Sequence, residues 1–187
     1  RNLDGALRER PLKGSLGIGH TRWATHGRPS EENAHPHHVD GITVVHNGII
    51  ENHLQLKHRL EGVGRGFSSE TDTEIMAHLV AAEAAAGHPL EVAVRRALTE
   101  VRGAYAFVII SEREPDKIVT AKSASPIVIG LGENACFVAS DIPACLEHTR
   151  DFVFLEDGQM AVLEAGRFRA MDLEGRPVEL ASRRIDW

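Results

Sequence analysis

Val44-Val45-His46-Asn47-Gly48-Ile49-Ile50 is an apolar run interrupted by Asn-Gly and resumed by two isoleucines. Asn-Gly between apolar stretches is the strongest short-range signal for a β-hairpin, so the sequence predicts a tight turn at Asn47-Gly48 with a strand on either side. A turn with positive φ exposes the glycine N–H and the asparagine amide together. Two donors aimed at one spot beyond the strand ends have the form of an oxyanion hole. Taken alone, the dipeptide is better explained as a turn with no chemical task.

The neighbourhood argues for a task. His20-Thr21-Arg22-Trp23-Ala24-Thr25-His26-Gly27 and Asn33-Ala34-His35-Pro36-His37 gather charge, aromatic surface and hydrogen-bonding side chains into a stretch too irregular for a core. Loops of that content usually carry function. With these two segments, VVHNGIIENH (44–53), SETDTE (69–74), RGAYAF (102–107) and SASPIVIGLG (123–132) follow in order. The six segments together resemble the type 2 glutamine amidotransferases, and among them the glutaminase domain of the glutamine–fructose-6-phosphate aminotransferases. The likeness extends over nearly the whole chain but begins after the family's opening segment. It implies an α+β fold of the N-terminal-nucleophile hydrolase kind, an αββα sandwich with two antiparallel sheets between helix layers.

Composition agrees with one compact domain. At 187 residues the chain is long enough to bury about 70% of the surface its unfolded form exposes. Its two cysteines, Cys136 and Cys145, are too few for a disulfide scaffold and suit a reducing compartment, so a cytoplasmic location is expected. The formal charge of −6, with basic residues scattered, argues against a nucleic-acid partner. No apolar run reaches the ~18 residues of a membrane span, and the first residues do not read as a signal peptide. The 11 histidines raise the question of a metal. Against it, there is no His-Glu-x-x-His and no Cys-x-x-Cys, and Pro36 holds its neighbouring histidines on an extended loop, so no metal or other cofactor is expected.

Along the chain, Leu3, Ala6 and Leu7 stand at helical spacing, and Asn2 to Arg8 reads as the tail of a helix that began upstream. Leu16, Ile18 and His20 alternate with Gly17 and Gly19, which predicts a strand that delivers Arg22. Arg22 to Asp40 reads as one long loop of the lid or binding type. His53 to Glu61 predicts a helix ended by Gly62 and Gly64. A capping box of Thr71 and Glu74 opens the next, with Ile75, Met76, Leu79 and Val80 as its apolar face. Leu90 to Val101 forms a further helix. Short apolar runs at 104–111, 117–121, 127–131, 135–139, 151–155, 159–164 and 167–172 read as meander strands, with a brief helix at 141–147. Residues 1–182 are read as the domain and 183–187 as the start of a linker.

Glutamine carries an α-carboxylate, an α-ammonium and a side-chain amide, so a site that hydrolyses it needs a cation, an anion and oxyanion donors. Arg22 can fork onto the carboxylate and Asp72 can accept from the ammonium, each such charged bond contributing ~1.5–3 kcal/mol. Asp72 is also explained by its favourable position at a helix N-terminus. The resemblance adds Thr25 and His26 to the glutamine cradle, gives the oxyanion role to Asn47 and Gly48, and makes Trp23 and His35 part of a loop that closes over glutamine and gates ammonia. It further implies transfer of ammonia to a sugar-phosphate isomerase domain that makes glucosamine 6-phosphate from fructose 6-phosphate, in an enzyme that forms homo-oligomers.

In this family the nucleophile is an amino-terminal cysteine whose own α-amine, of ordinary pKa about 7.7–8.0, serves as base. Position 1 here is arginine, so the expectation is a chain lacking its upstream segment and inactive by itself. Competing readings are the glutaminase domain of amidophosphoribosyltransferase, a non-catalytic glutamine-binding domain, and a histidine-rich metal hydrolase. Replacing Trp23 by alanine in the full-length protein is expected to uncouple glutamine hydrolysis from transfer, measured as the ratio of glutamate to aminated sugar formed. An unchanged ratio would refute the gate.

Overall fold

The computed structural model describes residues 3–11, 13–21 and 27–186. Strand β2 (Ile42–Ile50) is its central fact, because every one of its nine residues has a partner on β3 (Gly103–Ser111). Asn47 and Gly48 therefore lie inside a strand, opposite Ala106 and Tyr105, and not in a turn. The expected Asn-Gly hairpin is corrected by a second dipeptide, Asp40-Gly41. With φ of 48° and 82°, it joins β1 (His37–Val39) to β2 through two residues of positive φ, the geometry of a type I′ turn. The predicted loop from Arg22 to Asp40 accordingly ends at β1.

Close approach explains why the glycine at 48 is needed within a strand. Its φ is +132°, and a Cβ there would stand 2.1 Å from the carbonyl oxygen of Ala104. Gly103, at φ +127°, faces the same strand pair from the other side, where a Cβ would lie 2.2 Å from the Ile49 oxygen. Two glycines thus let β2 and β3 meet where side chains would hold them apart.

The larger sheet has the order β1-β2-β3-β4-β8-β9-β10, with β4 at Glu114–Ser123, β8 at Gln159–Glu164, β9 at Arg167–Asp172 and β10 at Pro177–Val178. A four-stranded sheet has the order β11-β7-β5-β6, with β5 at Val128–Leu131, β6 at Cys136–Ala139, β7 at Asp151–Phe154 and β11 at Arg183–Arg184. All ladders between these strands are antiparallel. The meander is thus interrupted: the chain leaves the first sheet after β4, builds β5 to β7, and returns to pair β8 with β4. The pair at Arg183–Arg184 falls within the stretch read as linker.

Period-2 alternation distributes each strand between layers. On β3, Tyr105, Phe107 and Ile109 pack with the helices, while Ala106 and Val108 turn to the other sheet. The helices are α2 (His53–Gly62), α3 (Thr73–Ala85) and α4 (Leu90–Leu98), all contributing to the core under the larger sheet. A second core, including Ile129, Val153, Ala161 and Leu163, lies between the sheets. On the far face of the smaller sheet, a 3-10 turn (Ile142–Ala144) and Cys145 cover Val128 and Phe152, giving an α+β sandwich with one thick and one thin outer layer. Helix α1 (Leu3–Glu9) leaves Leu7 exposed. Among the described residues no helix is long and apolar enough to cross a membrane.

The strand predicted through Leu16, Ile18 and His20 does not form. Gly17, Ile18 and Gly19 face Cys136–Ala139 of β6 across a cavity of about 320 Å³, so no ladder joins them, and alternate glycines bring no side chains to fill the gap. Replacing Gly103 by alanine is expected to destabilise the fold by more than ~2 kcal/mol in urea unfolding. Gly62→Ala, where no atom lies within 4 Å of the new Cβ, should stay within ~0.5 kcal/mol of the parent.

Candidate active site

Alternation along β2 turns His46 toward the helices, where its ring stacks on Phe107 at 4.4 Å and Nδ1 lies 3.1 Å from Thr73 Oγ1. Asn47 faces the opposite way. Its Oδ1 is 2.8 Å from His20 Nε2, so the segment that failed to become a strand still brings one side chain to the site. Strand β1 pairs only with Ile42 to Val44, which leaves the outer edge of β2 beyond Val44 without a strand partner among the described residues. At that edge the Ile50 N–H donates to Asp72 Oδ2 at 2.7 Å. The other oxygen of Asp72 has no hydrogen-bond partner among the described residues, although the residue is only 3% exposed.

Helix α3 starts differently from the predicted capping box. Asp72 occupies the N-cap with helical dihedrals and makes no side-chain cap bond, and Thr71 turns its hydroxyl to His37 Nε2 at 2.8 Å. Glu74 reaches back past Thr71 to the two serines before it. One oxygen accepts from the Ser68 N–H and hydroxyl, both at 2.8 Å, and the other from the Ser69 N–H at 2.7 Å and hydroxyl at 2.6 Å. Burial pushes the Glu74 carboxyl up, but His78 and the serine donors outweigh it and hold the group well below the usual carboxylate range. The turn before α3 is thereby folded around a buried anion, which fixes the direction of Asp72.

Asn33 ties the histidine loop to the same turn. It is 2% exposed, donates to Glu70 Oε2 at 3.1 Å and to the Arg28 oxygen at 3.0 Å, and accepts from the Glu70 N–H at 2.8 Å. His20, His35 and His37 then stand in a row, with ring centroids 4.3 Å and 5.0 Å apart. The imidazoles meet through faces and edges instead of turning their nitrogens to a common point, and among the described residues no three His, Cys, Asp or Glu form a metal-binding group. Burial pushes the Cys136 and Cys145 thiols up, which disfavours the thiolate that a nucleophile requires.

Of the expected site residues, the structure thus brings Asn47, Gly48 and Asp72 to one end of β2, with the His35 ring tilted against the His20 ring that contacts Asn47. Arg22, Trp23, Thr25 and His26 lie outside the described residues. A glutamine amidotransferase domain model matches residues 20–147, from the Asn47 partner His20 past β5 and β6 of the smaller sheet. The chain belongs to the glutamine amidotransferase family. This amidotransferase domain is 49% identical, over 99% of its length, to the glutamine–fructose-6-phosphate aminotransferase [isomerizing] of Methanothermobacter thermautotrophicus, covering 32% of that protein. It is 52% identical to an enzyme of the same name from Thermus thermophilus, over 99% of this chain and 30% of the relative. For Escherichia coli K12 the figures are 52%, 95% and 29%. The amidotransferase domain therefore spans about a third of the length of these relatives.

Among solved structures, glutamine phosphoribosylpyrophosphate amidotransferase from B. subtilis in complex with ADP and GMP superposes with a TM-score of 0.68. That match has 27% identity and covers 82% of this chain and 34% of the other. The allosteric regulatory enzyme of purine biosynthesis gives 0.69 at 29% identity, with the same shares covered. Both share the expected sandwich fold, but relatives named for sugar amination match the sequence far more closely, which favours that reading over the amidophosphoribosyltransferase alternative.

Sequence reasoning missed three residues of this amidotransferase domain that hold the site in place. Asn52 donates to the Glu100 oxygen at 2.8 Å and accepts from the Arg102 N–H at 3.0 Å, latching the end of β2 to the start of β3. Asn33 and His20 are the others. An asparagine within a quoted segment, but with no assigned task, is the signal that was available for the first two. Glu74 supplies a pH test: its carboxyl lies lower in the folded chain than its ordinary value of 4.5, so the stabilisation is fully present above that pH and is lost as pH falls below it. In urea unfolding, Glu74→Gln is expected to cost at least ~2 kcal/mol at pH 7, and the gap to the parent should narrow below pH 4.5.

Proposed function

We propose that this chain belongs to the glutaminase domain of a glutamine–fructose-6-phosphate aminotransferase: together with the family's amino-terminal cysteine, the domain hydrolyses glutamine to glutamate and delivers ammonia to a sugar-phosphate isomerase domain that forms glucosamine 6-phosphate from fructose 6-phosphate. The observation that carries this reading is the open edge of β2, where the Asn47 amide, the Gly48 backbone and the Asp72 carboxylate occur together. Backbone N–H groups alternate in direction along a strand. Ile50 N–H points to Asp72 while Glu51 N–H points to the Arg102 oxygen, so Gly48 N–H, two residues before Ile50, turns to the same outer edge as Ile50 N–H.

In the proposed reaction a thiolate attacks the side-chain amide carbon of glutamine, and the carbonyl electron pair moves onto oxygen. Asn47 Nδ2 and Gly48 N–H receive that charge. The proton that the cysteine's α-amine took from the thiol passes to the amide nitrogen, collapse of the tetrahedral intermediate expels that nitrogen as ammonia, and water then cleaves the thioester to glutamate and regenerates the thiol. The thiolate is the amino-terminal cysteine implied by the family resemblance. Cys136 and Cys145 are internal and have no α-amine to act as its base.

Asp72 holds the ammonium through the oxygen that Ile50 leaves to it, and Arg22, Thr25 and His26 bind the carboxylate end. Trp23 and His35 belong to the loop that closes over the substrate and excludes water from the thioester. The domain comprises residues 1–182, and 183–187 lead toward the isomerase domain. The full-length enzyme is read as a cytoplasmic homo-oligomer that associates mainly through that second domain, which agrees with relatives about three times the length of this chain. In the full-length protein, Asn47→Ala should lower kcat for glutamine hydrolysis by ~10²–10³ with glutamine binding largely retained. Steady-state glutaminase assays with calorimetric binding decide it, and loss of binding would make Asn47 a binding or structural residue instead.

A further inference from the structure

The two ends of an asparagine side chain are nearly the same size and shape, so nothing in packing decides whether Asn47 offers its NH₂ or its oxygen to a developing oxyanion. The wrong end would place an acceptor against negative charge. The partner that decides is His20, whose Nε2 lies 2.8 Å from Asn47 Oδ1. Its other nitrogen, Nδ1, is buried and has no hydrogen-bond partner among the described residues. A buried N–H without a partner is rarer and more costly than an unused lone pair, so the bare nitrogen is Nδ1 and the proton of a neutral ring is on Nε2. In that tautomer His20 donates to Oδ1, and both hydrogens of Asn47 Nδ2 face away from it.

We propose that His20 is a positioning residue for glutamine hydrolysis: by donating to Asn47 Oδ1 it commits the side-chain amide to present NH₂ to the oxyanion. The inference rests on the oxyanion role given above to Asn47. The ring of His20 is in turn held against His35 at 4.3 Å, His35 against His37 at 5.0 Å, and His37 Nε2 lies 2.8 Å from the hydroxyl of Thr71, the neighbour of Asp72. One row of imidazoles thus spaces the oxyanion donor from the carboxylate read as the ammonium anchor.

The test uses the full-length protein with its amino-terminal cysteine. His20→Leu removes the donor and should lower kcat by ~10–10², less than loss of the Asn47 donor itself, with KM for glutamine unchanged. His20→Gln, whose side-chain N–H can reach the same oxygen, should recover most of that loss. Because His20 acts through Asn47, the double variant His20→Leu/Asn47→Ala should be no slower than Asn47→Ala alone. Independent, multiplying losses overturn the proposal, as does a His20→Leu enzyme as fast as the parent while Asn47→Ala remains slow. A fully active Asn47→Ala enzyme overturns the oxyanion reading itself.

Should His20→Leu fail to fold, long-range ¹H–¹⁵N correlation spectra of histidine-labelled parent protein still decide the matter, with His20→Gln used to assign the signal. A proton on Nε2 is the expected result, and a neutral ring protonated on Nδ1 overturns the inference.

Discussion

Register between β2 and β3 is the constraint on which the site depends. Side chains on a strand change face at every residue, so a slip of one position would send Asn47 into the helical core and His46 out of it. The pairing runs unbroken from Ile42–Ser111 to Ile50–Gly103. It is held at one end by the Gly41 carbonyl, which accepts from the Glu112 N–H at 2.9 Å just past β3, and at the other by Asn52, which bonds the backbone of both Glu100 and Arg102. Between these anchors the apolar side chains of Val44, Phe107 and Ile109 are fully buried, so any slip would expose them.

Polar groups then orient what the core has placed. Glu74, Asn33 and Asp72 are each no more than 3% exposed. Glu74 accepts from serine N–H and hydroxyl groups at both oxygens, Asn33 bonds Glu70 and the Arg28 carbonyl, and Asp72 accepts from the Ile50 N–H at one oxygen. Such contacts add little net stability when intact but cost the full desolvation of a polar group when one partner is removed. The surface ion pairs are different: Arg176 with Glu174 and Arg184 with Asp151 join exposed side chains whose attraction solvent screens, so they add little. Specific geometry at the β2 edge therefore comes from the buried set.

Most elements were legible because their signals are local. Helices α2, α3 and α4 follow from apolar spacing and glycine or proline stops, and β3 to β9 from short apolar runs between turn residues. The site residues Asn47, Gly48 and Asp72 were legible as residues but not as local structure. An Asn-Gly pair reads as a turn unless it is known that the strand opposite brings a glycine, Gly103, to make room. The capping box failed for a related reason: Glu74 bonds serines that a local template does not include, and Thr71 is drawn to a histidine 34 positions away. Sheet order also escaped, since nothing near β4 says that its second neighbour will be β8.

That return has a consequence for how the chain comes to be folded. The hairpin contacts of β2 with β1, and of β3 with β4, connect neighbouring segments, but β4 waits for β8 across residues 124–158. Loop-closure entropy must be met before that pairing yields anything, and such long-range contacts slow folding. During synthesis the emerging chain holds β4 as a bare edge whose residues Val119 and Ala121, buried at the end, are still open to other strands. A nascent chain from which β4 has emerged but β8 has not is therefore an intermediate exposed to aggregation, and one that a chaperone has reason to hold.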